Sequence, residues 1–463
     1  MYQVSKRALI KDTIDHIGRE VLLKGWVQTV RSHGKIAFFD LRDRSGTMQV
    51  VGLSNDQAMF ISSLSSQDAV EVTGVVKKRD ERYINKNVPT GTIELESGKI
   101  DVISKSSEMP FDMGGKELKL ELPTLLDYRS LTLNHPTVSA IFKVQAKILE
   151  GFRKAAENIG CIEIVVPTIV ASSTEGGANL FSIDYYEHKA FLSQSPQLYK
   201  QMMVSVFERV WTIAHAYRAE PSVTTRHLTE TTQMDCEIGF TAFEELLDLL
   251  EKVATDMVKY AESQCQSIFS QQGFQKIAFG SPRSAGGAGK IPRLTLREAQ
   301  EVIFKEFGRD NRKEKDLNPQ DEIDICKWAK DKHKSDFVTI THFPTTAKPF
   351  YTMPDPKDPT YSLSYDLLFK GIEILSGSQR ISDYNKLTKS IKDRGMDPKN
   401  FGMYLMSFKY GMPEEGGFSF GLERITMKML NLANVREASL FPRDMERVDE
   451  RFSISDKKDT KAG

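Results

Sequence analysis

Between residues 20 and 104, apolar and polar positions alternate in five short runs separated by turn residues: VLLKGWVQTV, KIAFFDLRD, TMQVVGL, AVEVTGVVK and TIELESGKIDVI. A period of two marks half-buried strands, and five of them in fewer than about 100 residues predict a small closed barrel, for which the five-stranded OB-fold is the usual candidate. Alternation turns Ala37, Phe39 and Leu41 inward, together with Met48 and Val50 and with Ile93 and Leu95. Phe38, Gln49 and Glu94 then point outward. Barrels of this kind most often take single-stranded nucleic acid, and an aromatic ring beside hydrogen-bonding groups can stack a base for about 1–3 kcal/mol. Alternation leaves two readings of Phe38, a stacking platform or the cover of a loop or domain contact.

The pattern changes after the barrel. Residues 105 to 135, with Met109-Pro110, Gly114-Gly115 and Asn134-His135-Pro136, read as a hinge. The period then lengthens: VSAIFKVQAKILEGFRKAAENIG predicts an amphipathic helix closed at Gly160, followed by a strand at CIEIVVP. A second long helix is predicted at FEELLDLLEKVATDMVKYAESQCQSIF and strands at GIEIL and GFSFG. The charged stretch from Arg309 to Lys334 reads as a solvated helical face. The expected organisation is an α+β chain: a barrel over 1–104, a hinge over 105–135, a larger domain over 136–452, and a polar, disordered tail over 453–463.

Composition narrows the partners without choosing among them. The 463 residues contain 63 Lys plus Arg against 63 Asp plus Glu, so any nucleic acid must be met by local basic patches. Four cysteines, Cys161, Cys236, Cys265 and Cys326, form no CxxC pair, which argues against a zinc site or a disulfide framework and for a reducing cytoplasm. The N-terminus has no apolar signal core, and no run approaches the roughly 18 apolar residues of a membrane span.

Three short strings are decoys. His16-Ile-Gly18-Arg19 and Lys386-Leu-Thr-Lys389-Ser390 are similar to class I synthetase signatures, but the first lacks its final His and precedes a barrel. Gly286-Gly-Ala-Gly289-Lys290 lacks the first Gly and the final Ser or Thr of a phosphate loop, positions held by Ser284 and Ile291.

The informative strings are the strand ending at Pro167, Tyr217-Arg218-Ala219-Glu220, and GFSFGLER ending at Arg424. In this order they resemble the three motifs of class II aminoacyl-tRNA synthetases, whose catalytic domain is an antiparallel sheet flanked by helices. A carboxylate attacking the α-phosphate of ATP builds a highly charged transition state, so fixed cations and metal carry the catalysis. The resemblance implies that Arg218 and Arg424 are catalytic, and that Glu220, Arg226, His227 and Glu373 complete the ATP site. Asp366, Glu373 and Ser376 would hold Mg2+, a hard cation suited to oxygen ligands. Alternation puts Asp235 and Glu237 on one face. It places Glu373 and Arg380 on opposite faces, which predicts a bulge or turn at Ser376-Gly377. Thr231 stands where many relatives stack phenylalanine on adenine, which leaves that task to His227 or to Arg424 alone.

Substrate choice narrows the resemblance. FLSQSPQLYKQMM matches the aspartyl-tRNA synthetases of archaeal and eukaryotic type almost throughout. Ser195 is predicted as helix N-cap and Pro196 as first helical residue, so Gln197 and Lys200 share one face. The family implies that Lys200 and Arg380 clamp the side-chain carboxylate of L-aspartate, the latter through two parallel hydrogen bonds, and that Glu175, Gln197, Asp235 and Ser376 complete the pocket. Replacing Lys200 by Leu is expected to remove aspartate activation with the fold intact. In the barrel, Gln28, Arg31, Phe38, Gln49 and Glu94 match anticodon-reading positions, so tRNA(Asp), with or without tRNA(Asn), is the implied partner, and a homodimer through the motif at Pro167 the implied assembly. The competing readings are an asparaginyl-tRNA synthetase, opposed by Lys200, and an ammonia-dependent asparagine synthetase, opposed by the barrel.

Overall fold

The computed structural model describes residues 7–86, 88–115, 117–171, 180–221, 224–271, 273–280 and 290–452. The chain divides into two compact units, one ending at Leu120 and the other starting at Glu121.

The first unit is a closed five-stranded barrel in the order β1-β2-β3-β5-β4. Its strands are β1 (Glu20–His33), β2 (Ile36–Asp43), β3 (Gly46–Gly52), β4 (Ala69–Lys78) and β5 (Ile93–Ser104). All pairs are antiparallel except β3 with β5. Ala37, Phe39, Leu41, Met48, Val50, Ile93 and Leu95 are buried together, as alternation predicts. Between β3 and β4 the chain forms a helix, Asn55–Ser62, started by a capping box from Ser54 and Gln57.

The second unit carries an eight-stranded sheet in the order β12-β13-β14-β15-β16-β11-β10-β6. These strands are β6 (Ile162–Glu163), β10 (Arg209–Tyr217), β11 (Glu230–Gly239), β12 (Arg293–Thr295), β13 (Phe337–Thr341), β14 (Ser364–Phe369), β15 (Ile372–Gln379) and β16 (Glu415–Gly421). Strands β7 (Ile169–Val170), β8 (Ser182–Tyr185) and β9 (His188–Leu192) form a small separate sheet. The expected antiparallel sheet is thus a mixed one. Six central strands are antiparallel, while β12 and β6 add to the two edges in parallel. Strand β6 is far shorter than CIEIVVP predicted.

Helices Pro136–Asn158 and Phe243–Gln264 bury their apolar stripes against one sheet face, with Phe152, Trp211, Cys236, Phe418 and Phe420 in the shared core. They approach closely at Gly151, where a Cβ would lie 2.8 Å from the carbonyl oxygen of Met257. Gly160 ends the first helix at φ +85°, as its place in the pattern predicts.

Two expectations need correction. The hinge is shorter than 105–135, because Glu121 onward packs into the second unit: buried Arg129 donates to the carbonyl oxygens of Leu440, Glu437 and Ser439. The stretch Arg309–Lys334 is not a solvated face. Helix Pro319–His333 buries Asp321, Glu322, Asp324, Ile325, Cys326 and Ala329, and Arg309 pairs with both Asp321 and Asp324 at 2.7 Å. The acids look like surface residues because their cations come from outside the helix. The tail 453–463 and the loop around Gly286 lie outside the described residues.

Candidate active site and nucleic-acid face

The sheet face opposite the long helices holds the candidate active site. Cross-strand pairing sets Asp235 opposite Ser419, Ser419 opposite Ser376, and Ser376 opposite Asp366, a single row running over β11, β16, β15 and β14. The adjacent row pairs Glu237, Gly417, Ser378 and Ser364. Over these rows opens a cleft of about 330 Å3, lined among others by Gln197, Asp235, Asp366, Glu373, Arg380 and Arg424.

Glu373 reaches this face through a bulge. Lys370 and Gly371 turn the β14–β15 hairpin with φ of +47° and +85°, the left-handed pair that a two-residue hairpin turn demands. Leu368 then pairs with Glu373, but Leu367 pairs with Leu375, so Ile374 is one residue too many on β15. The irregularity at Ile374 is two or three residues earlier than the sequence suggested. Its effect is the expected one: Glu373 joins Ser376, Ser378 and Arg380 in the cleft lining, and Ile374 and Leu375, which also border the cleft, belong to the buried apolar core.

At one end of the cleft lies a buried cluster of charges. Lys200 Nζ is 2.8 Å from Asp235 Oδ2 and 3.1 Å from Glu237 Oε2. Arg380 grips Glu237 through Nε at 2.7 Å and Nη2 at 3.2 Å, and donates to Ser378 Oγ and to the carbonyl oxygen of Gly417. Gly417 must lack a side chain, since a Cβ there would lie 2.0 Å from Glu237 Oε2. Burial alone would raise the Glu237 pKa, but Arg380 and Lys200 outweigh it and hold the carboxyl below its ordinary range. Burial would likewise lower Lys200, yet Asp235 and Glu237 keep its ammonium above the usual value. Gln197 and Lys200 do share a helix face, but the helix runs Gln197–Phe207, and its N-cap is Pro196 and not Ser195. Among the described residues, Gln197 Nε2 and Gln233 Oε1 have no hydrogen-bond partner, although both are buried in residues lining the cleft. One donor and one acceptor are thus left for a polar ligand.

The other end gathers Arg218, Glu220, Arg226, His227, Glu373 and Arg424, with Thr231 in the same lining. Arg218 and Glu220 lie just beyond the end of β10. Arg424, in the first turn of helix Leu422–Met429, donates to the Glu373 carbonyl oxygen at 3.0 Å and lies 3.6 Å from its carboxylate. Burial, helped by Arg424, lowers the His227 pKa. Arg226 pairs with Glu322, whose carboxylate also accepts the Glu373 backbone N–H at 3.1 Å. Burial pushes Glu322 up to about 7 despite Arg226, and pushes Asp366 up to about 6 despite Lys348. Among the described residues no group of three His, Cys, Asp or Glu side chains could hold a metal. Two carboxylates and the Ser376 hydroxyl nevertheless fit magnesium, which binds through one or two carboxylates plus substrate phosphates. Glu175 lies outside the described residues.

Sequence reading missed Gln233, Glu322, Lys348 and Ser419. Ser419 donates to Asp235 Oδ1 at 2.6 Å. Gln233 and Ser419 had a signal, since alternation carries them to the face of Asp235. Glu322 and Lys348 had none, because their partners are set by tertiary packing.

On the barrel, the five predicted positions lie on neighbouring strands and three of them interact directly. Gln49 Nε2 donates to Glu94 Oε2 at 3.1 Å, and Arg31 lies 3.0 Å from Asp40 and 3.5 Å from Gln49 Oε1. Thr47 donates to Gln28 Oε1. Half-buried Phe38 sits opposite Arg31 and meets the ring of His33 edge-on. Asp40 and Arg79, the latter 3.4 Å from Glu94, join the network unforeseen.

Comparison with known proteins agrees with this architecture. Residues 121–445 match the model for tRNA synthetases class II (D, K and N), and residues 21–103 the model for the OB-fold nucleic acid binding domain. The aspartate–tRNA(Asp/Asn) ligase of Thermus thermophilus is 40% identical over 96% of this chain and 99% of its own. The aspartate–tRNA(Asp) ligase of Pyrococcus horikoshii is 36% identical over 93% and 96%. Among solved structures, asparaginyl-tRNA synthetase from Pyrococcus horikoshii with asparaginyl-adenylate superposes with a TM-score of 0.84 at 30% identity, covering 96% of this chain and 99% of that one. A putative aspartyl-tRNA synthetase from Leishmania major gives 0.87 at 28%, covering 97% and 96%. Barrel, sheet and cleft together are those of a class II aminoacyl-tRNA synthetase with an OB-fold domain. Within that class, the chain belongs to the aspartate–tRNA ligase family.

Proposed function

We propose that the cleft activates L-aspartate with ATP to aspartyl-adenylate and passes the aspartyl group to the 3′ end of tRNA(Asp). The observation that carries this reading is the buried Lys200–Asp235–Glu237–Arg380 cluster beside the Gln197 amide, whose oxygen accepts from Arg380 and whose Nε2 has no partner among the described residues. Lys200 and Arg380 favour a side-chain carboxylate over a neutral amide, because a charge-assisted hydrogen bond from a fixed cation is stronger to an anion than to an uncharged oxygen. Asp235 is left to receive the α-ammonium group. Arg218 and Arg424 offset charge on the phosphates, with Glu220, Arg226 and His227 around the nucleotide. Asp366, Glu373 and Ser376 would hold Mg2+, which supplies charge neutralisation at the phosphates. We also propose a homodimer through the segment at Pro167, supported by exposed Ile162 and Val165 beside β6, and a reducing cytoplasmic setting, supported by four free, buried thiols. Among the described residues no helix is long and apolar enough to cross a membrane.

The test is ATP–pyrophosphate exchange with aspartate and asparagine side by side. Strong exchange with aspartate and little with asparagine is expected, and equal or better exchange with asparagine sinks the substrate assignment. Charging of tRNA with anticodon GUC against GUU, at one stated salt concentration, then sets the tRNA range. Specificity for GUC is the expected result, and efficiencies within a few-fold of each other would make this an enzyme of both tRNAs.

The barrel is proposed to read the anticodon through Gln28, Arg31, Phe38, Gln49 and Glu94. Phe38→Ala should then weaken tRNA binding by the worth of one stacked base, about 1–3 kcal/mol, while pyrophosphate exchange stays unchanged. Unaltered tRNA affinity in that variant would return Phe38 to a purely structural role.

A further inference from the structure

Both carboxylates assigned above to magnesium already carry a protein cation. Lys348 Nζ lies 2.9 Å from Asp366 Oδ2 and 3.1 Å from Oδ1, so one ammonium holds both oxygens. Arg424 attends Glu373. Lys348 is fixed in place: it packs 3.8 Å from the centroid of the Phe343 ring, its side chain is only 14% exposed, and Asp316 and Glu373 add negative charge around it. Lys348, Asp316 and Asp366 all line the cleft.

This arrangement sets two requirements in conflict. A divalent cation and an ammonium on one carboxylate repel each other at contact distance, and the Lys348 and Asp366 side chains are both largely withdrawn from solvent screening. A polyphosphate removes the conflict, because it offers Lys348 a new set of anionic oxygens at the moment the metal needs Asp366. We propose that Lys348 is a further residue of the nucleotide site, which neutralises Asp366 before ATP arrives and then moves to the phosphates, so that metal and nucleotide bind together. The inference rests on reading Asp366 and Glu373 as metal ligands.

The experiment uses the full chain and Mn2+ as probe, with free Mn2+ followed by electron paramagnetic resonance, with and without α,β-methylene-ATP. Wild-type protein should bind Mn2+ weakly alone and at least about tenfold more tightly with the nucleotide, within the usual range of coupling between two ligands. Lys348→Met and Lys348→Gln should bind Mn2+ alone about tenfold more tightly than wild type and lose most of the coupling. Lys348→Arg should retain the wild-type order. Circular dichroism identifies which of the two neutral variants is folded, and either suffices. Folded neutral variants whose Mn2+ affinity without nucleotide equals that of wild type overturn the proposal. Asp366→Asn separates the two levels: if it abolishes nucleotide-dependent Mn2+ binding while the Lys348 variants behave as wild type, the ligands stand and the role of Lys348 falls. If Asp366→Asn binds Mn2+ as wild type does, the ligand assignment and the inference fall together.

Discussion

Lys200→Leu should reduce aspartate-dependent pyrophosphate exchange by roughly two to three orders of magnitude, the usual cost of truncating one partner of a buried charge pair. The same change should also weaken the fold. Lys200 lies between Asp235 and Glu237, all three almost wholly buried, so its removal leaves Asp235 without its ammonium and Glu237 dependent on Arg380 alone. Breaking such a pair from one side costs about 3–5 kcal/mol. The structure thus corrects the expectation of an unaffected fold. Exchange assays belong with thermal melts on one preparation: a variant that melts early but still activates aspartate at near-normal rate would show that Lys200 is a structural cation and not a substrate contact.

Arg218→Ala should lower the rate of adenylate formation by at least about 10²-fold, the effect of removing one preorganised stabiliser of transition-state charge. Here little structural damage is expected, because Arg218 is tied to its surroundings mainly through its backbone N–H, which donates to the carbonyl oxygen of Thr229 at 2.8 Å. Glu373→Ala should do comparable harm through the metal. Steady-state exchange at saturating ATP and aspartate reads both variants, and near-normal rates in either would remove that residue from the catalytic machinery.

The sequence disclosed those parts of the molecule in which one side chain's direction follows from its neighbours. The barrel strands alternate over runs long enough that the inward residues of Ala37–Leu41, Met48–Val50 and Ile93–Leu95 could be named, and the pair Asp235 and Glu237 could be placed on one face for the same reason. Long-range pairing was another matter. Helix Pro319–His333 has few apolar residues and several acids, and nothing local indicates that Arg309 and Arg226 arrive to neutralise Asp321, Asp324 and Glu322. Lys348 stands in an irregular segment with no period at all, and only the fold brings it against Asp366. The edge strands β6 and β12, of two and three residues, are too short to show any pattern. Arg218, Glu373, Arg380 and Arg424 were recognised through family motifs. Their shared lining of one cleft is a tertiary fact.

The extra residue at Ile374 gives the β14–β15 hairpin a parity. Counting from the Lys370-Gly371 turn, Glu373 is an even step along the strand and Ser376, Ser378 and Arg380 are odd ones, and a single unpaired residue reconciles the two series. Any insertion or deletion of one residue between Glu373 and Arg380 would send either the acid or the arginine through the sheet into the apolar core. The hairpin can therefore change length only by steps of two, and this short span should tolerate point substitution far better than a shift in frame.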